Sequence, residues 1–395
     1  MQQVSDRQRR ARLGRRHALS QPVTSVEAAV DAVVCLHATE PPSVYLSVQA
    51  RSTCTREDVD RALYDDRTIV KQLAMRRTVF TFPRELLPAA WGSASRRVAD
   101  QLEARLAKEV ESNELTRDGA AWVARASRDV LATLAEQGPA TTAELRERLP
   151  ELSRRLEMSP GKSYGGSLPV APRLLSTLAA SGRVMRGSNA GDWRLSRPRW
   201  TLTKDWLGES VPHPTAEDGY RVLVERWLRR FGPGTEADLV WWLGATKGAV
   251  RRALGELAVV EVSLESGATG YLLPDDLPED PGSEPDTEPW AALLPVLDPT
   301  TMGWKERGFY LGADDVPQLF DTNGNAGTTA WWDGRIVGCW VQDPDGVVHV
   351  DHLRDSGSEA RAALDEEASR LTGWLDGARI STVYTTQAMK AAARA

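Results

Sequence analysis

The chain has little cysteine and little histidine, three of the first and five of the second in 395 residues. Cys35, Cys54 and Cys339 are odd in number, far apart and without a Cys-x-x-Cys pair. That spacing argues against a disulfide framework or a structural zinc site, and a cytoplasmic setting is expected. No run of about 18 apolar residues is present, so no membrane-spanning helix is expected. The basic residues near the N-terminus are followed by no apolar stretch of the kind a secretory signal needs. Lysine is also scarce, because 42 of the 49 basic residues are Arg. With 41% hydrophobic and 26% charged residues, the composition is that of a folded chain with room for roughly two to four domains.

Charge is unevenly spread. Residues 1–200 hold 32 Lys and Arg against 23 Asp and Glu, whereas residues 201–395 hold 17 against 32. A basic half joined to an acidic half points to a polyanionic partner for the first half. Arg suits phosphate better than Lys does, because its planar fork binds two oxygens at once. An Arg- and Ala-rich chain can also reflect a GC-rich genome, so the motifs have to carry the reading.

A degenerate repeat organises the chain. A helical pattern over residues 124–137 ends in Gly138-Pro139, and a second over 220–231 ends in Gly232-Pro233. In each, Gly stops a helix and Pro enforces the break. Thr141 and Thr235 then stand where an N-cap belongs, ahead of short helices with an acid in the first turn. The second copy continues through a helix at 246–254 and strand-like runs at 259–262 and 271–273, which predicts a winged helix. The first copy has a Gly-, Pro- and Ser-rich insert at 157–172, then a helix at 173–181 and a basic hairpin with strands at 183–186 and 192–195. A further module is expected at the N-terminal side, with a helix over 26–36, a helix after Thr55 and a hairpin over 69–82.

The expected fold class is α+β and mainly helical, with three tandem winged-helix modules and a small C-terminal α+β domain rich in β-hairpins. A basic arm occupies 1–20, the modules 21–117, 118–205 and 206–277, an acidic Pro-rich linker 278–289, and the C-terminal domain 290–395. In that last domain Asp333-Gly334 and Asp345-Gly346 are hairpin turn signals. A helix over 359–375 and a strand near 380–384 follow. Tandem winged helices favour a nucleic-acid partner, although the same fold also serves as a protein-binding module.

The stretch Leu36-His37-Ala38-Thr39-Glu40-Pro41-Pro42-Ser43-Val44-Tyr45-Leu46-Ser47, followed by Arg51, resembles the winged-helix DNA glycosylase family typified by AlkZ and YcaQ. Met75-Arg76-Arg77-Thr78 and Leu294-Pro295-Val296-Leu297-Asp298-Pro299 are similar to the family as well. The likeness runs from about residue 20 to the C-terminus. It implies three winged helices around duplex DNA and a catalytic Gln-x-Gln or Gln-x-Asp at the end of an early helix, with Pro, Tyr and Arg after it. Here His37 and Thr39 stand where the family has its two carboxamides or a carboxamide and an acid. Phe80 stands where many relatives carry a His. The resemblance implies an ancestral glycosylase and leaves cleavage by this branch to be tested.

The chemistry can be argued from the residues. A purine alkylated at N7 is cationic and already a good leaving group. The enzyme has to hold a water beneath the anomeric carbon and stabilise an oxocarbenium-like transition state. His37 can hold that water or act as a general base, since imidazole titrates near neutrality. Thr39 supplies an acceptor, and Glu40 can orient His37 or face the developing cation. A structural reading stands beside this one: His37 closing a helix C-terminus and Thr39 holding a turn. No Lys stands in the motif, so no Schiff-base lyase step is expected, and no metal or organic cofactor is called for.

Arg7, Arg9, Arg10 and Arg12 of the arm are candidate phosphate contacts. By the resemblance, Tyr45 and Arg51 belong to the DNA-binding set. Arg76, Arg77 and Thr78 would clamp the phosphates beside the lesion. Arg183, Arg186, Arg194, Arg197 and Arg199 would line the same channel. Solvated or salt-bridged roles compete for each. Trp241-Trp242 and Trp331-Trp332 read as core, residues 323–327 as a turn-rich loop, His349 and His352 as surface residues, and 302–307 as a packing segment. The functions in competition are a monomeric glycosylase acting on alkylated double-stranded DNA, a non-enzymatic DNA-binding regulator, and a protein-binding scaffold.

Overall fold

The computed structural model describes residues 1–158, 166–277 and 288–394. The protein is mixed α and β, about half helical. It divides into two compact units, one of Met1–Val70, Thr81–Arg84 and Tyr220–Ala395, the other of Lys71–Phe80 and Glu85–Gly219. Residues 159–165 of the expected insert and 278–287 of the expected linker lie outside the described residues.

The first unit opens on a strand, Gln2–Val4, that the sequence reading does not anticipate. It pairs in parallel with Val260–Leu264, which pairs antiparallel with Thr269–Leu272. Val4, Val262, Leu264 and Leu272 form the apolar face of this small sheet. Ser5 and Gln8 then make a reciprocal capping box, and the helix Asp6–Arg16 follows. The basic N-terminal segment is thus a docked helix. Ala11, Leu13 and Gly14 are its buried face, and a Cβ on Gly14 would lie 2.5 Å from the Trp290 indole. The Arg-rich composition hides that narrow apolar stripe.

The helix expected over 26–36 stops at Asp31. Val34 turns through a left-handed conformation (φ 67°), and the chain re-emerges as the two-residue strand Leu36–His37. That strand belongs to a three-stranded sheet with Val79–Pro83 in the middle and Ile69–Leu73 outside. The helix Pro41–Gln49 follows, with Pro at its first positions and every residue from Pro42 to Gln49 buried. Thr55 forms a capping box with Asp58 ahead of the helix Arg56–Asp60.

Later in the same unit Thr235 and Asp238 cap the helix Glu236–Leu243, and Thr246 caps Lys247–Glu256. The Asp238 carboxylate is fully buried and also accepts the backbone N–H of Lys305 and Glu306. Trp304 packs edge-on against Phe231 at 5.1 Å. The segment 302–307 thus packs on these helices as its sequence suggests. The C-terminal sheet runs Ala291–Leu294, Thr329–Trp332, Arg335–Gln342, Val348–His352, all antiparallel. Gly357–Leu375 is its long helix. The strand expected near 380–384 is instead an irregular loop. Its backbone donors are taken by side chains, Ile380 N–H by Gln342 Oε1 and Val383 N–H by Glu40 Oε1.

The second unit is built on the helices Arg96–Ser112, Gly119–Gln137 and Ala171–Ala180. Trp122, Val130, Leu145, Leu174 and Trp200 lie in its core. Thr141 and Glu144 make another capping box. The basic hairpin is Val184–Asn189 paired with Pro198–Leu202, so residues 192–195 are not its second strand. The Asn189 amide donates to the carbonyls of Gly191, Asp192 and Leu195, folding these residues into a compact turn. The tip of the hairpin at 69–83 also belongs to this unit. Gln72 Nε2 donates to Ala179 O at 2.9 Å, and Leu73 packs with Val98, Ala99 and Ala180.

Candidate active site

His37 ends a short strand and is 7% exposed, so it does not close a helix. Thr39, two residues on where the chain bends, is exposed, and Ala38 between them is buried. Glu40 occupies the N-cap position of Pro41–Gln49 without capping it. Its Oε1 accepts the N–H of Val383 at 2.9 Å. The three proposed catalytic side chains therefore sit on one turn, from an enclosed imidazole to an open hydroxyl.

Two residues placed by resemblance in the DNA-binding set are interior. The Tyr45 hydroxyl donates to Asp60 Oδ1, and burial together with Tyr64 and Asp60 pushes its pKa up. Arg51 is fully buried and forms a two-pronged ion pair with Asp298, at 2.7 and 2.8 Å. Arg51 also donates to Ser47 O and Thr300 Oγ1. Ser47 Oγ donates to Asp298, and His17 Nδ1 lies 2.8 Å from Thr300 Oγ1. Asp298 further caps the short helix Pro299–Met302 through the Thr300 N–H. Arg51 and the Leu294-to-Pro299 stretch thus meet in a buried polar network that fixes the scaffold.

Several N-terminal arginines are drawn inward as well. Arg9 is buried with its guanidinium 3.6 Å from the Phe309 ring centroid, and desolvation lowers its pKa. Arg10 donates to Phe309 O. Arg12 pairs with Asp276, as does Arg16. Arg7 alone of the four candidates is exposed.

In the second unit, Arg76 and Arg77 occupy the hairpin tip, both in left-handed backbone conformation (φ 53° and 60°). That conformation costs about 1–2 kcal/mol per L-residue and tends to cluster at functional positions. Arg77 is exposed, whereas Arg76 and Thr78 are half-buried. Arg183 and Arg197 are exposed. Arg186 lies over the Trp200 ring at 4.8 Å, and burial lowers its pKa to about 10. Arg194 pairs with Asp192 and Arg199 with Glu144.

Among the described residues no group of His, Cys, Asp and Glu could hold a metal, and no helix is long and apolar enough to cross a membrane. The loop at 323–327 is held by Asp321, whose carboxylate accepts from Asn323 and Asn325. His349 is exposed and pairs with Asp343. Sequence reasoning missed the loop at 379–385, which has no local signal tying it to Glu40.

The family described as "DNA glycosylase AlkZ-like" matches residues 30–374. Among solved structures, the Streptomyces sahachiroi DNA glycosylase AlkZ is similar with a TM-score of 0.71 and 19% identity, over 94% of this chain and 97% of that one. At that identity the likeness is one of fold. No curated protein matches.

Proposed function

The chain belongs to the AlkZ-like DNA glycosylase family, and we propose that it hydrolyses the N-glycosidic bond of N7-alkylated purines in double-stranded DNA. Bulky adducts or crosslinks are the proposed substrates, in alkylation repair or in self-resistance to a DNA-alkylating antibiotic. The observation that carries the reading is the turn at 37–40, where one polar hydroxyl is open and an imidazole and a carboxylate stand beside it. We read His37 as holding or deprotonating the attacking water through its remaining open edge, with Thr39 accepting a hydrogen bond from that water. The alkylated base leaves neutral, so no acid is required. Water supplies the new C–O bond, and its proton passes to His37. Glu40, already holding Val383 through one oxygen, contributes negative charge near the developing oxocarbenium.

Duplex contacts are proposed for the exposed arginines Arg77, Arg183 and Arg197 of the second unit, and three winged-helix modules are the proposed scaffold. A second reading, DNA binding without cleavage, is favoured by the burial of His37 and by the absence of both carboxamides.

Base release from a duplex containing 7-methylguanine, read by heat-induced strand cleavage, separates the two. The expected result is release that falls at least about a hundredfold in His37→Ala. Binding without release from small or bulky adducts favours the second reading. Release untouched by the substitution removes His37 from the chemistry.

A further inference from the structure

Glu40 ties the motif to the far end of the chain. Its carboxylate accepts the N–H of Val383, 343 residues away. Gln342 Oε1 holds the N–H of Ile380 and Thr382 Oγ1 that of Tyr384. The loop is thereby fixed on both sides without a strand partner. At its tip Val383 is 85% exposed. A lone exposed aliphatic is ordinary, but this one stands on a held backbone next to Thr382, which lines a cavity of about 290 Å³. Pro42 and Leu46 from the motif helix, Trp340 from the C-terminal sheet and Met389 line that cavity, with Ser381 and Thr382 from the loop and Glu40 itself.

Size and chemistry limit what enters. The space lies at the lower end of the range of about 300–1,000 Å³ typical of small-molecule sites. It suits an appendage, and its walls combine an apolar side (Leu46, Trp340, Met389) with polar groups (Gln342, Arg379), which fits an arm with an apolar body. Because Glu40 belongs both to the motif and to the wall, a substituent on a base held at the motif has the cavity next to it.

We propose that this cavity is the adduct subsite, receiving the apolar arm of a bulky N7 substituent, with Val383, which adjoins the lining residues Thr382 and Glu40, at its rim. The proposal rests on the 37–40 turn being the site of base release. The test compares a duplex carrying 7-methylguanine with one carrying an N7-guanine adduct that has an extended apolar arm. The intact protein is set against Val383→Ser and Ser381→Trp, both at exposed positions.

The ratio of bulky to methyl release is expected to fall about tenfold in Val383→Ser, the order expected for losing one aliphatic contact. It should fall at least as far in Ser381→Trp, where the added indole narrows the mouth. An unchanged ratio in both variants overturns the subsite. If neither duplex releases base, the catalytic reading of the turn has failed, and the same comparison is made as equilibrium binding by fluorescence anisotropy. A preference for the apolar arm that both variants lose then upholds the cavity as a binding site, and equal affinity for the two duplexes overturns it.

Discussion

The two units use the same side chain in opposite ways. In the first, Arg51 and several N-terminal arginines are drawn inward: Arg51 is sealed against Asp298, Arg9 lies on Phe309, and Arg12 and Arg16 share Asp276, while Arg7 stays exposed. In the second, Arg77, Arg183 and Arg197 are exposed on hairpins and their flanks, beside others already paired or stacked. A guanidinium with a buried carboxylate contributes to folding and is silent toward phosphate, while an exposed one contributes little to folding and is available to a polyanion. The excess of Arg in the first 200 residues therefore overstates the basic surface.

The largest test of this contrast is Arg51→Met. It leaves Asp298 buried without its counter-charge and should destabilise by about 3–5 kcal/mol, measured as a shift in the urea midpoint at constant m-value. A loss under about 1 kcal/mol would mean that the pair is hydrated and that the network is not sealed.

Next comes the combined substitution of Arg77, Arg183 and Arg197 by Ala. Duplex affinity should drop, and the slope of log K against log salt should shallow by about one per arginine that contacts a phosphate. Stability should stay within about 0.5 kcal/mol. Arg12→Ala should do the reverse, lowering stability while leaving the salt slope alone. Equal slopes in both variants would erase the distinction between the units.

Local signals in the sequence are legible wherever the chemistry is local. Thr55, Thr141 and Thr235 each stand three residues before an acid and each makes a capping box. Asp333 and Gly334 both take the positive φ that a tight hairpin turn needs. Features that depend on distant partners stay hidden. Gln2–Val4 gains its partner only when the Val260–Leu264 strand is beside it. The apolar spacing of 26–36 does not tell a helix from a buried strand, and Val34 breaks it. The β-branched run near 380–384 looks like a strand, yet Gln342 and Glu40 take its donors. At the candidate site the motif locates the turn, but it does not show that Arg51 faces Asp298, 247 residues away.

The smallest effect is also the most selective. His17 is fully buried beside the Arg51 network, and desolvation followed by the nearby Arg51 charge holds its pKa well below the ordinary value. The unfolded chain protonates this imidazole below about pH 6.5, whereas the folded chain keeps it neutral. The unfolded state thus binds the extra proton, so this contribution to stability is complete above about pH 6.5 and is lost as pH falls below it. The slope is at most about 1.4 kcal/mol per pH unit. His17→Gln keeps a hydrogen-bonding partner for Thr300 and removes the titration. Between pH 7.5 and 5.5 the intact protein should lose about 1 kcal/mol more than the variant. Parallel losses in His17→Gln and the intact protein would show that His17 accepts a proton in the fold. The interior of the first unit would then be open to charge, as the surface of the second is.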